Sequence, residues 1–230
     1  MLNFDIERDL YKKEILMIGV DEAGRGSWAG PLVATACWID FRKYKHLHVQ
    51  INDSKRLKPL KRREIVLSLN NFVKYSSSVA SVNEIDNYGL SYANAIAMKR
   101  SIFSLLKELK SQTKHKNKDV CIYVDGKFKP DFENLDKFLK IKKLHLDNCS
   151  VVSIVKGDSL CKTIALASII SKVIRDTIMR QLSKKHPFYL FDRHFGYGTN
   201  NHINAILKNG ILDLHRKSFK PIATIYSKKI

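Results

Sequence analysis

Four carboxylates in this chain stand at or just beyond the ends of short apolar runs: Asp21 and Glu22 follow MIGV, Asp125 follows CIYV, and Asp158 follows VVSIVKG. In open α/β sheets the crevice at the strand ends is where ligands collect. Acids brought together there, away from water, are unfavourable unless a cation balances them. Hard oxygen ligands with no His or Cys beside them suit Mg2+ or Mn2+ best. Each acid taken singly could instead cap a turn or a helix, and Asp158 before SLCKTIALAS is a credible N-cap. Asp21 lies in the first strand or at its end, so the strand-end argument reaches it less directly.

The first acids run straight into Gly24-Arg25-Gly26. Flanking glycines let backbone N–H groups approach a ligand where a Cβ would obstruct, and Arg25 can add charge toward a phosphate. Alone the triplet could be a hairpin turn. Attached to an Asp-Glu pair after a buried strand, it reads as a catalytic loop.

The elements that must position these residues follow from the apolar pattern. Residues 15–20 and 31–39 read as short buried strands, 72–82 as a third with one polar face, and 120–124 and 151–155 as two more. Residues 83–110 read as one helix. A long helix follows Asp158, with Leu160, Ile164, Ala167, Ile170 or Ser171, Ile174, Ile178 and Leu182 on one stripe, and Pro187 stops it. A short helix near 200–208 ends at Gly210, and a basic, loop-like C-terminus follows. Closely spaced early strands suit antiparallel hairpins, and the later connections are long enough for crossovers. The expected fold class is α/β, a mixed five-stranded sheet flanked by helices, with a C-terminal helical region beside it.

Lys and Arg number 41 against 22 Asp and Glu, a net charge of +19, while 44% of residues are hydrophobic. That apolar fraction excludes global disorder and supports one packed domain over 1–230, with its core at about 15–222. The charge attracts polyanions. Arginines concentrate in the cluster Lys55, Arg56, Lys58, Lys61, Arg62 and Arg63, which therefore reads as a nucleic-acid contact. The lysines at 107, 110, 114, 116 and 118 suit a plain solvated face. Cys37, Cys121, Cys149 and Cys161 show no metal-binding spacing and read as reduced thiols. The longest apolar runs fall well short of the roughly 20 residues of a spanning helix, so no membrane is expected. The N-terminus has no apolar signal region, so the expected location is cytoplasmic, starting at Met1.

GVDEAGRGSWAGPLV, DSKRL, YVDG, KGDSLCKTIALASIISKVIRD, FGYGT and HRKSF, in that order from about residue 15 to 222, resemble the successive motifs of type 2 ribonuclease H, the ribonuclease HII family. The resemblance implies a ribonuclease H-like fold. It also implies an endonuclease that hydrolyses the RNA strand of RNA–DNA hybrids and incises 5′ to single ribonucleotides in duplex DNA. Its partners would be those hybrids and ribonucleotide-containing DNA duplexes. Asp21, Glu22, Asp125 and Asp158 match the family's catalytic and metal-binding acids. Gly24, Arg25, Gly26 and Tyr197 match positions that recognise the ribonucleotide and its 2′-hydroxyl, and Lys55 matches a phosphate-contacting lysine. Two divalent ions, Mg2+ or Mn2+, at these acids would activate water and stabilise the departing 3′ oxygen, giving 5′-phosphate and 3′-hydroxyl ends. Tyr197 could stack on a sugar, and it could also be an ordinary loop aromatic.

Three departures from the family pattern stand out: Ser27-Trp28 after the glycine loop, Phe195 where a basic residue is common, and a long 126–157 connection containing KFLKIKK. Asp176 reads as the partner of a neighbouring base. His194, His202 and His215 read as solvent-exposed or hydrogen-bonded. Since one chain contains every motif, a monomer is expected. Two other readings compete: a catalytically silent nucleic-acid-binding protein, and the sister type of ribonuclease H, which handles hybrids but poorly incises single ribonucleotides.

Overall fold

The computed structural model describes residues 4–46, 57–69, 71–127 and 134–227. Five strands form one sheet: β1 (Leu16–Ala23), β2 (Leu32–Ile39), β3 (Val73–Ala80), β4 (Val120–Asp125) and β5 (Cys149–Ile154). Their order is β3-β2-β1-β4-β5. The β1–β2 and β2–β3 pairs are antiparallel, while β1–β4 and β4–β5 are parallel. The mixed five-stranded sheet expected from the sequence is therefore present. Its parallel half brings the C-terminal ends of β1, β4 and β5 side by side.

Helices cover both faces. Between and around the strands run α1 (Asp5–Lys12), α2 (Pro59–Leu67), α3 (Val82–Tyr88), α4 (Leu90–Lys110) and α5 (Leu135–Ile141). The C-terminal part carries α6 (Lys162–Lys185), α7 (Phe191–His194), α8 (Asn200–Asn209) and α9 (Lys220–Ser227). Strand alternation assigns the faces. Leu16, Ile18 and Val20 of β1 pack with Ile102, Leu105 and Leu109 of α4, whereas Met17 packs with Ile164 of α6. Between them, Gly19 leaves room for α6, because a Cβ there would stand 2.7 Å from the Ile164 nitrogen. That close approach seats α6 directly over β1 and fixes what its next turns can reach.

Several expectations need correction. The helix expected over 83–110 is two: α3 opens on a capping box between Ser81 and Glu84, and Gly89, at φ 83°, turns the chain into α4. The C-terminus is not loop-like, since α9 buries Ile222 beside Met179, Phe191 and Ile206. Helices α1 and α2 were not foreseen; α2 holds part of the basic cluster and opens on Pro59. The long connection before β5 contains α5, anchored by buried Leu135 and Leu139. Among the described residues, no helix is long and apolar enough to cross a membrane.

Candidate active site

The parallel register sets Val20 beside Val124, so Asp21 and Asp125 follow on adjacent strands. By alternation both belong with the α6 side of the sheet, while Glu22 belongs with the α4 side. Asp158 arrives differently. After β5 the chain passes through Lys156 at φ 59° into a single 3-10 turn, Gly157–Ser159. The Gly157 N–H donates to Asp125 Oδ1 at 2.6 Å, tying this turn to the end of β4. The N-cap position of α6 is Cys161 rather than Asp158, and the Cys161 side chain makes no capping bond. Asp21 and Asp158 are 5% and 2% exposed, and Glu22 and Asp125 are half-buried.

Burial pushes the Asp21 carboxyl up from 3.8 to about 8, and the charges of Glu22 and Asp125 push the same way. Lys172 and a hydrogen bond with Ser168, both on α6, oppose the rise. Lys172 Nζ donates to Ser168 Oγ at 2.6 Å, so this pair forms a small polar support behind Asp21. The Glu22 N–H also donates to Asp21 Oδ1, at 2.7 Å. Among the described residues, no three His, Cys, Asp or Glu side chains already stand in metal-binding geometry. The acids nonetheless fit a hard cation in their chemistry, because they are oxygen donors whose mutual repulsion a positive ion would relieve.

The loop after β1 is held from beneath by two buried guanidiniums. Arg175 of α6 donates from Nε to the Pro31 carbonyl at 2.9 Å, from Nη1 to that of Phe195 at 2.9 Å, and from Nη2 to Ser27 Oγ at 2.8 Å. Ser27 Oγ donates in turn to the Gly24 carbonyl. Arg216 donates to the carbonyls of Arg25 and Gly30. Burial lowers both guanidinium pKa values; for Arg216, with Arg175 adding like charge, the value falls to about 9. Gly24 sits at φ 91°, and a Cβ there would lie 1.9 Å from Arg175 Nε, so no other residue fits this position. Arg25 reaches back to Glu22 at 3.4 Å.

Tyr197 is 43% exposed and has the Arg175 guanidinium 5.4 Å from its ring centre. Its backbone is braced by the C-terminal histidines, which are buried rather than exposed. His202 Nδ1 bonds the Tyr197 carbonyl at 3.0 Å, His194 Nδ1 accepts from the Gly196 N–H at 3.2 Å, and the His202 and His215 Nε2 atoms are 3.2 Å apart. Burial depresses His202 and His215 to about 4, so all three rings are neutral near pH 7. Trp28 packs inward, so tightly against Gly198 that a Cβ there would stand 2.1 Å from its ring, with His202 at 5.7 Å between ring centres. Phe195 lies beneath the Arg180 guanidinium and offers its carbonyl to Arg175. Asp176 pairs with Arg62 at 3.4 Å, as expected for a base-paired acid.

Asp21, Glu22 and Asp125 are thus brought together beside Gly24, Arg25 and Gly26. A cleft of about 90 Å³ opens there, lined by Glu22, Arg25, Asn94, Asp125, Gly126 and Lys127 among others. A larger hollow of about 410 Å³, by Tyr11, Trp38 and Arg42, includes none of the four acids. Lys55 and Arg56 lie outside the described residues. Sequence reasoning missed Ser168, Lys172, Arg175 and Arg216 as supports. The signal for the first three was present: polar residues at 168, 172 and 175 recur at helical spacing along the helix.

Solved structures place this architecture in the ribonuclease H class of nucleic-acid hydrolases. The chain is similar to the ribonuclease H2 of Pyrococcus horikoshii OT3, with a TM-score of 0.64 and 25% identity over 93% of this chain and 98% of that one. It shares its fold with Bst-RNase HIII solved in complex with Mn2+, with a TM-score of 0.68 and 19% identity over 94% of this chain and 70% of that one. A curated relative, ribonuclease HII of Wolbachia pipientis wMel, is 36% identical over 90% of this chain and 91% of its own length. The family model described as Ribonuclease HII matches residues 18–222. The chain belongs to the ribonuclease HII family and is a ribonuclease H, an endonuclease acting on nucleic acid.

Proposed function

We propose that this chain, acting as one domain and as a monomer, hydrolyses the RNA strand of RNA–DNA hybrids and incises 5′ to single ribonucleotides embedded in duplex DNA. Asp21, Glu22, Asp125 and Asp158 are its catalytic and metal-holding acids. The observation that carries this reading is the meeting of Asp21, Glu22 and Asp125, whose combined charge and burial hold the Asp21 carboxyl up at about 8. A site that raises a carboxyl in this way gains stability from binding a cation. Two divalent ions there, Mg2+ or Mn2+, would supply an activated water and neutralise the departing oxygen. The Mn2+ in the fold relative supports that choice of ion.

The chain's own residues do the rest. Gly24 and Gly26 let the loop backbone come close to the ribose, and Arg175 and Arg216 hold that loop in place. Arg25 faces the phosphate, and Tyr197 packs on the sugar. The 2′-hydroxyl alone separates a ribonucleotide from its neighbours, so groups near it provide the discrimination. In the reaction a water oxygen bonds to phosphorus as the bond to the 3′ oxygen breaks, leaving a 3′-hydroxyl on one side and a 5′-phosphate on the other. This activity suits ribonucleotide removal from DNA in the cytoplasm.

Mapping the cut on a DNA duplex with one ribonucleotide, with EDTA as the blank, tests the reading. The expected product is one nick on the 5′ side of the ribonucleotide in Mg2+ or Mn2+, absent in EDTA and lost in Asp125→Asn. Cutting of long hybrids only would favour the sister type of ribonuclease H. Undiminished cutting by the purified Asp125→Asn chain would remove Asp125 from the site.

A further inference from the structure

Asp86 is half-buried on α3, and its carboxylate takes three hydrogen bonds from a turn 131 and 132 positions further along the chain. The Lys217 N–H donates to Oδ2 at 2.9 Å, while the Ser218 N–H and Ser218 Oγ donate to Oδ1 at 3.0 and 2.6 Å. Successive N–H groups of this kind make a concavity suited to an anion. The turn is closed by the Phe219 N–H on the Arg216 carbonyl at 3.0 Å. Its first residue, Arg216, is fully buried and sends its guanidinium to the loop after β1. There Nη1 donates to the Arg25 carbonyl at 2.9 Å, and Nε and Nη2 donate to that of Gly30 at 3.1 and 3.0 Å.

A buried guanidinium has to be held in place and its charge compensated. Among the described residues, every acceptor of the Arg216 side chain is a backbone carbonyl. Burial and the like charge of Arg175 disfavour its cationic form, while Tyr197 and Asp86 favour it. The Arg216 backbone is tied to the loop it supports, through its N–H on the Trp28 carbonyl at 2.7 Å and the antiparallel bridge between Ala29 and His215. Those ties move with the loop. Asp86 anchors the turn from a different element, since α3 leads through Gly89 into α4, the helix packed on β1. We infer that Asp86 is a positioning residue for the substrate: by clamping the 216–219 turn to α3, it sets Arg216 against the Arg25 carbonyl and so fixes the backbone of Gly24-Arg25-Gly26. This rests on the ribonucleotide reading proposed above and deepens it. Arg175 holds the same stretch independently, through Ser27, Ala29 and Pro31, so losing Asp86 loosens the loop without releasing it.

A double-mutant cycle separates action through Arg216 from a general loss of structure. Asp86→Ala hands the Lys217 and Ser218 N–H groups to water, as a half-buried position allows. Arg216→Lys keeps the charge but loses the planar fork. Three quantities are measured: thermal stability, kcat/KM on a duplex with one ribonucleotide, and Kd for the all-DNA duplex of the same sequence in EDTA. Asp86→Ala is expected to remain folded at the assay temperature and to lose kcat/KM about tenfold, as for charge-assisted hydrogen bonds. Its Kd for the all-DNA duplex stays within about twofold of the parent, and in the Arg216→Lys background the same change costs less than about twofold more. A kcat/KM for Asp86→Ala within about twofold of the parent overturns the inference, and so does an equal loss in both backgrounds. If Arg216→Lys does not fold, Ser218→Ala takes its place; it removes one bond to Asp86 and is expected to cost about threefold in kcat/KM, and no loss overturns the inference. If the unaltered chain cuts long hybrids but not the single-ribonucleotide duplex, the proposed substrate fails, and the same cycle run on the hybrid decides the role of Asp86 separately.

Discussion

At Asp21 two demands conflict. Substrate chemistry of the proposed kind needs an ionised carboxylate, while burial and two neighbouring acids favour the neutral form and raise its pKa from 3.8 to about 8. Linkage turns this into a stability curve. Between those values the folded chain binds the proton more tightly than the unfolded chain does. Stability held below about pH 4 is therefore lost as pH rises through 8. Asp21→Asn removes that loss. Thermal melts in EDTA from pH 5 to 9 are expected to show the parent falling relative to this variant as pH rises. Parallel curves would show that Asp21 carries no such strain. The acids themselves were legible in the sequence, because each ends an apolar run. Their mutual repulsion was not legible, since it depends on distances across strands far apart in the chain.

At the scale of elements, α6 depends on a residue from the other end of the molecule. Its N-cap, Cys161, makes no side-chain capping bond. Instead Glu7 of α1 accepts from the Thr163 N–H and from Thr163 Oγ1, both at 2.9 Å. A buried carboxylate thus serves as the cap and complements the positive end of the helix dipole. Glu7→Ala is expected to lower unfolding stability by about 1–3 kcal/mol, read by urea denaturation. A change below about 0.3 kcal/mol would show that water replaces the cap. No local pattern announces this contact. The helix periodicity predicted α6 well, with Ser171 among its stripe candidates, but left out Ser168 and Arg175, which are buried as well. The capping box at Ser81 and the break at Gly89 are local signals, and reading them divides the expected 83–110 helix correctly.

Across the whole molecule, a net charge of +19 predicts an association governed by phosphate contacts. Affinity for an uncut hybrid in EDTA, measured by fluorescence anisotropy, is expected to fall by about three to five decades between roughly 50 and 200 mM salt if six to ten phosphates are contacted. A flat salt dependence would refute that use of the charge. The charge was readable from composition alone, and the sheet's mixed character from the spacing of the apolar runs and the lengths of chain between them. The histidine bracing of Tyr197 and the two guanidiniums under Gly24 needed the folded chain. The guanidiniums reach residues 148 and 191 positions away, and burial, which gives those polar groups their effect, exists only once the sheet and its helices have closed over them.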